Sequence, residues 1–228
     1  MRSVKVIFWD VYGTLLAAQR GDLDSLIRRE NELHAAFAQT IRHFALRATA
    51  PQLHRDFLAA IADARAAKAA AGITHPEIRI EEIWASLLPG CPARDVAIFF
   101  ERQANPKQLM PGAIETLTAL QKRAYRQGII SNAQFYTPIE LAELLGTAIF
   151  DPALMFFSCD LGVAKPDPTA FRRAAAVLAR DGISPCECIL IGDSPGNDIA
   201  PAQQAGFRAL LFGPTGDIQE LPQLLERI

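Results

Sequence analysis

From Val4 to Trp9 the chain carries a nearly unbroken apolar run, Val4-Lys5-Val6-Ile7-Phe8-Trp9, and then turns through Asp10-Val11-Tyr12-Gly13-Thr14-Leu15. A short apolar run closed by a turn is the pattern of a strand covered on both faces. After Leu16 the period changes. From about Asp22 to Ala48 the apolar positions Leu23, Leu26, Ile27, Leu33, Phe37, Ile41 and Phe44 recur at steps of three and four, which predicts a helix. A second stripe runs through Leu53, Phe57, Ile61 and Ala64, with Pro51 near its start and Gly72 as its stop. Ile80, Ile83, Trp84 and Leu87 predict a third helix ending at Pro89-Gly90, and Val96, Phe99 and Phe100 a fourth ending near Asn105-Pro106. Trp84 and the Phe99-Phe100 pair are read first as packing among these helices and, as the alternative, as an interface. Four helices with no strand signal between them form a helical insertion over residues 17–107, leaving 1–16 and 108–228 as the core.

Beyond the insertion the pattern alternates. A helix starts at Pro111-Gly112 and is broken by Gly128, and Gly128-Ile129-Ile130 forms a strand ending at Ser131-Asn132. A helix with Ile139, Leu141, Leu144 and Leu145 closes at Gly146. Leu154 to Cys159 reads as a strand, Pro168 to Arg180 as a helix closed by Gly182, and Cys188 to Ile191 as a strand ending at Gly192-Asp193. A short helix to Gly206 and a last strand from Phe207 to Phe212 complete the chain. Regular alternation of strand and helix predicts βαβ units, hence an α/β fold: a Rossmann-like three-layer core around a mainly parallel sheet.

Composition narrows the function classes. The chain has 228 residues, half of them hydrophobic, and a formal net charge of −2, which offers no basic footprint for nucleic acid. Its apolar runs are too short for a membrane span, and no signal-peptide pattern precedes the first strand, so a cytoplasmic protein is expected. Cys91, Cys159, Cys186 and Cys188 lack metal-ligand spacing and read as reduced thiols. All four histidines (His34, His43, His54, His75) fall in the insertion and receive no catalytic or metal role.

The chemistry gathers where predicted strands end. Asp10, Ser131 with Asn132, Lys165, and Asp193 with Asp198 each follow a strand, and in a parallel sheet those ends share one edge. A carboxylate such as Asp10 can attack phosphorus or carbon and form a covalent intermediate. Lys165 can supply the positive charge that lets it approach an anionic substrate. Three carboxylates in one crevice (Asp10, Asp193, Asp198) repel one another unless a cation lies among them, and oxygen ligands suit Mg²⁺. Gly13 would let the turn close and expose backbone N–H groups near an anion. Thr14 would support that loop through its hydroxyl.

These segments together, Asp10-Val11-Tyr12-Gly13-Thr14-Leu15, Ile130-Ser131-Asn132, Lys165-Pro166-Asp167-Pro168 with Phe171, and Gly192-Asp193-Ser194-Pro195-Gly196-Asn197-Asp198, resemble the motif set of the haloacid dehalogenase (HAD) superfamily of aspartate-nucleophile hydrolases. Order and spacing match, and the insertion sits where that family places a helical (C1-type) cap. The resemblance implies Asp10 as nucleophile and Ser131 and Lys165 as further catalytic groups. It implies Gly13, Thr14, Ser131, Asn132 and Lys165 at the substrate. It also implies a Mg²⁺ held by Asp10, the backbone carbonyl of Tyr12 and Asp193, with Asp198 in support.

Two departures pull in opposite directions. Phosphatases resembling this chain carry a second aspartate where Tyr12 stands. That acid protonates the leaving group and activates water, work typically contributing ~10²–10⁴-fold in rate. A phenol titrating near ~10 is a poor base at neutral pH. The branch that dehalogenates 2-haloacids has tyrosine there and uses no metal. That branch lacks the Gly192-Asp193 pair, and Asp193 is the acid a Mg²⁺ site needs. Arg28 and Arg29 also resemble a dehalogenase cap helix, though solvated arginines explain them as well. The favoured expectation is a Mg²⁺-dependent phosphatase acting on a small phosphorylated metabolite, with no nucleic-acid or membrane partner. The alternatives are a 2-haloacid dehalogenase and a catalytically lapsed binding protein on the same scaffold.

Overall fold

The computed structural model describes residues 3–18 and 30–212, with Ile218 and Gln223; the first part of the first helical stripe, Arg28 and Arg29 included, lies outside the described residues. The chain divides into two compact units, Met1–Ala17 with Leu109–Ile228, and Ala18–Gln108.

The first unit is built on a five-stranded sheet. Its strands are β1 (Val6–Trp9), β4 (Arg126–Ser131), β5 (Met155–Phe157), β6 (Cys188–Gly192) and β7 (Arg208–Leu211), in the order β5-β4-β1-β6-β7. Each neighbouring pair is parallel. Because β1 has a strand on either side and helices over both faces, alternate residues feed two cores. Val6 and Phe8 pack with Phe171, Ala174 and Leu178 of the helix Thr169–Ala179. Ile7 and Trp9 pack with Leu117 and Leu120 of the helix Ala113–Lys122 and with Leu141 of the helix Thr137–Leu145. That is the α/β three-layer architecture the alternation predicts. The polar ends of this core are satisfied: Trp9 Nε1 donates to Gln127 Oε1 (3.2 Å), and Gln127 Nε2 donates to the Leu117 carbonyl (2.9 Å).

Register decides the site. Trp9 pairs with Ile129 on one side and Ile191 on the other, so the chain beyond each of these residues leaves the sheet at the same carboxyl edge.

The second unit holds helices Glu30–His43, Ala50–Ala70, Ile80–Leu87 and Ala93–Ala104. Phe37, Phe57, Trp84 and Phe100 form one aromatic cluster, with ring centroids 4.6–6.0 Å apart. His54 packs edge-on to His34 and against Phe37, and His43 stacks on Phe99, so three of the four histidines serve packing. Lys107, almost fully buried, pairs with Glu101 at 2.6 Å.

Three sequence expectations are corrected. Gly128 does not break the chain before a strand; it lies inside β4, which begins at Arg126. A Cβ there would meet the Leu154 carbonyl at 2.5 Å and the Phe8 ring at 2.8 Å, so the glycine answers to close packing. The preceding helix stops instead at Lys122, and Ala124 takes a positive φ of 63°. The strand expected over Leu154–Cys159 is only Met155–Phe157, because a helical turn Ser158–Leu161 follows at once. Finally, β2 (Leu16–Ala18) and β3 (Lys107–Leu109) form a two-stranded sheet where the chain passes between the units, in segments to which the pattern assigns no strand. Three residues carry too little alternation to announce a strand.

Candidate active site

Asp10 follows β1 directly, and its N–H donates to the Ile191 carbonyl of β6 at 2.9 Å, which fixes the residue at the sheet edge. Lys165, from the loop before the helix Thr169–Ala179, reaches the same point. Its Nζ donates to Asp10 Oδ1 (2.6 Å), Asp198 Oδ1 (2.5 Å) and the Ile130 carbonyl (3.0 Å), using all three ammonium protons. Burial alone would pull Lys165 down, but Asp10 and Asp198 outweigh it and hold the amine above the ordinary lysine range. Burial is also the largest influence on Asp10. With Asp198 and Asp193 adding repulsion, it outweighs Lys165 and raises that carboxyl to about 6. Asp193 is likewise raised, by burial first and then by Asp198.

Asp193 and Asp198 come from the loop after β6. Ser194 starts it: its Oγ accepts from the Asn197 N–H (3.1 Å), and its carbonyl accepts from the N–H groups of both Asp198 (2.9 Å) and Ile199 (3.2 Å). The resulting wide turn, Pro195–Ile199, is of the π type common at functional sites. It points Asp198 inward, where Oδ2 accepts from the Ser194 N–H at 2.9 Å.

Two glycines make room for these acids. A Cβ on Gly13, whose φ is +87°, would lie 2.1 Å from Asp193 Oδ2. A Cβ on Gly192 would lie 2.5 Å from Asp198 Oδ2. Ligand oxygens of Asp10, Asp193 and Asp198 all lie within 4.8 Å of one another. Lys165 balances one of the three negative charges and leaves two. The deficit is that of a divalent cation, and Mg²⁺ takes one or two carboxylate oxygens and fills its remaining positions with water and phosphate oxygens, so these residues fit the metal.

The remaining candidates divide. Ser131 ends β4 with its Oγ buried and without a hydrogen-bond partner among the described residues, ready for a ligand oxygen. The Asn132 side chain grips the backbone of Lys165, accepting from its N–H (2.6 Å) and donating to its carbonyl (3.0 Å). The Gly13 N–H itself is taken by the Leu16 carbonyl (2.9 Å), closing the turn. The Thr14 N–H goes to the Val11 carbonyl (3.3 Å), and its buried hydroxyl has no hydrogen-bond partner among the described residues. The Tyr12 hydroxyl bonds to Thr137 Oγ1 at 2.7 Å, a fully buried partner 125 residues on. Sequence reasoning missed Thr137, the Ile130 carbonyl and the steric role of Gly192. Nothing local marks the first two. Gly192 next to Asp193 was a visible signal whose meaning depended on where Asp198 would go.

The carboxyl edge of the parallel sheet thus gathers an aspartate, a lysine and two further acids, a constellation suited to an aspartate nucleophile beside a cation. The family model for haloacid dehalogenase-like hydrolases matches residues 4–206, and the chain belongs to that family. It is 27% identical to glyceraldehyde 3-phosphate phosphatase of Pyrococcus furiosus over 249 aligned positions, covering 99% of this chain and 93% of that protein. It is 30% identical to phosphoserine phosphatase of Thermus thermophilus over 119 residues, covering 52% of this chain and 46% of that relative, about half its length. In fold it is similar to a 2-haloacid dehalogenase from Pseudomonas syringae (TM-score 0.65, 23% identity, covering 98% and 99% of the two chains). It is also similar to a HAD phosphatase from Thermococcus onnurineus (TM-score 0.63, 20% identity, covering 97% and 98%).

Proposed function

We propose that the protein is a Mg²⁺-dependent phosphatase acting on a small phosphorylated metabolite through an aspartyl-phosphate intermediate. The observation that carries this reading is the Asp193 carboxylate, admitted beside Asp10 and Asp198 only because Gly13 has no side chain. Asp193 is dispensable to a metal-free displacement of halide. The names of the curated relatives, phosphatases of glyceraldehyde 3-phosphate and phosphoserine, support the same choice.

In this mechanism an Asp10 oxygen attacks phosphorus, the ester P–O bond breaks, and the electron pair leaves with the alcohol oxygen, which takes up a proton. Water then attacks phosphorus, loses a proton, and frees Asp10 and inorganic phosphate. Asp10, the Tyr12 carbonyl and Asp193, supported by Asp198, would hold Mg²⁺, which when bound neutralises charge on the phosphoryl group. Lys165 orients Asp10 and offsets its charge. Ser131 Oγ donates to a phosphoryl oxygen. The helical insertion serves as a cap that excludes water and selects the substrate. No helix among the described residues is long and apolar enough to cross a membrane, and all four cysteines are unpaired, as a reducing cytoplasmic setting would leave them.

Tyr12 favours a second reading, metal-independent 2-haloacid dehalogenation, because a halide leaves without a proton. One paired assay separates the two: phosphate release from a phosphoester panel with and without EDTA, beside halide release from 2-haloacids, with Asp10→Asn as control. The expected result is phosphate release that EDTA and Asp10→Asn both abolish. Halide release indifferent to EDTA overturns the phosphatase reading. Ligand binding without turnover in either arm overturns both in favour of a binding protein.

A further inference from the structure

We infer that Asn132 is a positioning residue for Lys165 rather than a substrate ligand. The inference rests on the phosphatase reading above. The carboxamide meets both polar groups of one residue's backbone: Oδ1 accepts from the Lys165 N–H at 2.6 Å and Nδ2 donates to the Lys165 carbonyl at 3.0 Å. The two bonds engage the amide oxygen and one of the two amide N–H groups, and they fix which way the carboxamide is turned. Two residues earlier on the same strand, the Ile130 carbonyl accepts from the Lys165 ammonium at 3.0 Å. The end of β4 therefore holds Lys165 at both its root and its tip.

The arrangement has a purpose at this site. Lys165 sits on a loop, carries a flexible four-carbon stem, and must place a buried charge between Asp10 and Asp198. Clamping its backbone removes the freedom that would let the ammonium drift toward either acid. Ser131, between the two clamping residues, offers its unpartnered hydroxyl from the same strand end. One rigid element thus sets the distance between the phosphoryl-binding hydroxyl and the charge that serves the nucleophile.

The test uses Asn132→Ala, with Asn132→Leu as a second variant of near-native volume should the first fold poorly. Turnover of a phosphate ester is expected to fall by about 10- to 100-fold in kcat with KM little changed, the cost of a misplaced catalytic group. Binding of inorganic phosphate with Mg²⁺, measured by calorimetry in a Lys165→Met background, is expected to be unaffected by adding the Asn132 substitution. Hydrogen exchange at the Lys165 amide is expected to speed up while the amides of β4 stay protected, a readout that needs no activity. A rise in KM at constant kcat, or a further loss of phosphate affinity in the Lys165→Met background, overturns the inference by making Asn132 a ligand. Unchanged protection of the Lys165 amide overturns it by removing the clamp. If the wild-type protein turns over no phosphate ester, the phosphatase reading fails, and the exchange measurement alone decides the clamp.

Discussion

Adding one methyl group to Gly13 would place a carbon 2.1 Å from an Asp193 carboxylate oxygen, in a residue already at φ +87°. Backbone and neighbour both object, and the neighbour is the acid that separates the two candidate chemistries. Gly13→Ala is therefore expected to weaken Mg²⁺ binding by at least about 10-fold, and Gly192→Ala, which displaces Asp198, by a similar factor; calorimetric titration reads both. The sequence marks Gly13 as a turn glycine, but its reason lies in an aspartate 180 residues away that only the fold brings near. Tyr12 shows the same limit. Its substitution for an acid is visible in the sequence, whereas its hydroxyl's attachment to Thr137 is not. With that hydroxyl bonded to Thr137, the proposed phosphatase has no carboxylic acid at position 12 to protonate a leaving alcohol. Turnover should depend steeply on leaving-group pKa, aryl phosphates reacting much faster than alkyl ones. Tyr12→Asp is expected to flatten that dependence and raise the alkyl rate by about 10-fold or more, as measured by kcat/KM across a leaving-group series.

Among the elements, long periodic segments and buried strands are legible in the sequence because their apolar positions repeat. The helices Ala50–Ala70 and Ile80–Leu87 and the strands β1 and β6 lie close to where periodicity puts them. The three-residue strands β2 and β3 repeat nothing, and β5 gives way to a helical turn that its composition does not announce. Element ends also carry charge arrangements that no pattern predicts. Where the chain enters β6, Glu187 accepts from the Ser184 N–H (2.9 Å) and pairs with Lys5 (2.8 Å) just ahead of β1. The Lys5 and Ser184 hydrogen bonds lower its carboxyl from 4.5 to about 2. The unfolded chain then binds the proton more readily than the folded one. The stabilisation is full above pH ~4.5 and is lost as pH falls toward ~2. Glu187→Gln should remove that part of the pH dependence, seen as a shallower fall of Tm with acidification over this window. In the helical unit, Glu101→Ala would remove the carboxylate 2.6 Å from the buried Lys107 ammonium and is expected to cost about 1.5–3 kcal/mol in denaturant unfolding, the usual worth of a hydrogen bond to a charged group.

For the molecule as a whole, alternation of strands and helices foretells a parallel sheet, and a parallel sheet foretells one chemical edge. Which groups meet there, and at what distance, depends on loops whose sequences carry little pattern. Asn132 was legible as polar and near the site, yet its bonds go to a backbone 33 residues on. A cation that binds the folded three-acid cluster but not the unfolded chain must stabilise the entire protein. Mg²⁺ at ~100 times its Kd should add about 2.7 kcal/mol, read as a rise in Tm that Asp193→Asn abolishes.

The short pairing of β2 with β3 has a consequence for how such a chain can change. Paired strands run about 4.8 Å apart, so the two crossings into and out of the helical unit stand side by side. A tight turn, or a quite different module, could bridge that gap without re-threading a single strand of the sheet. The insertion is in this sense a cassette: evolution or an engineer can exchange the helical unit while the carboxylates, the lysine and the glycines that admit them keep their places.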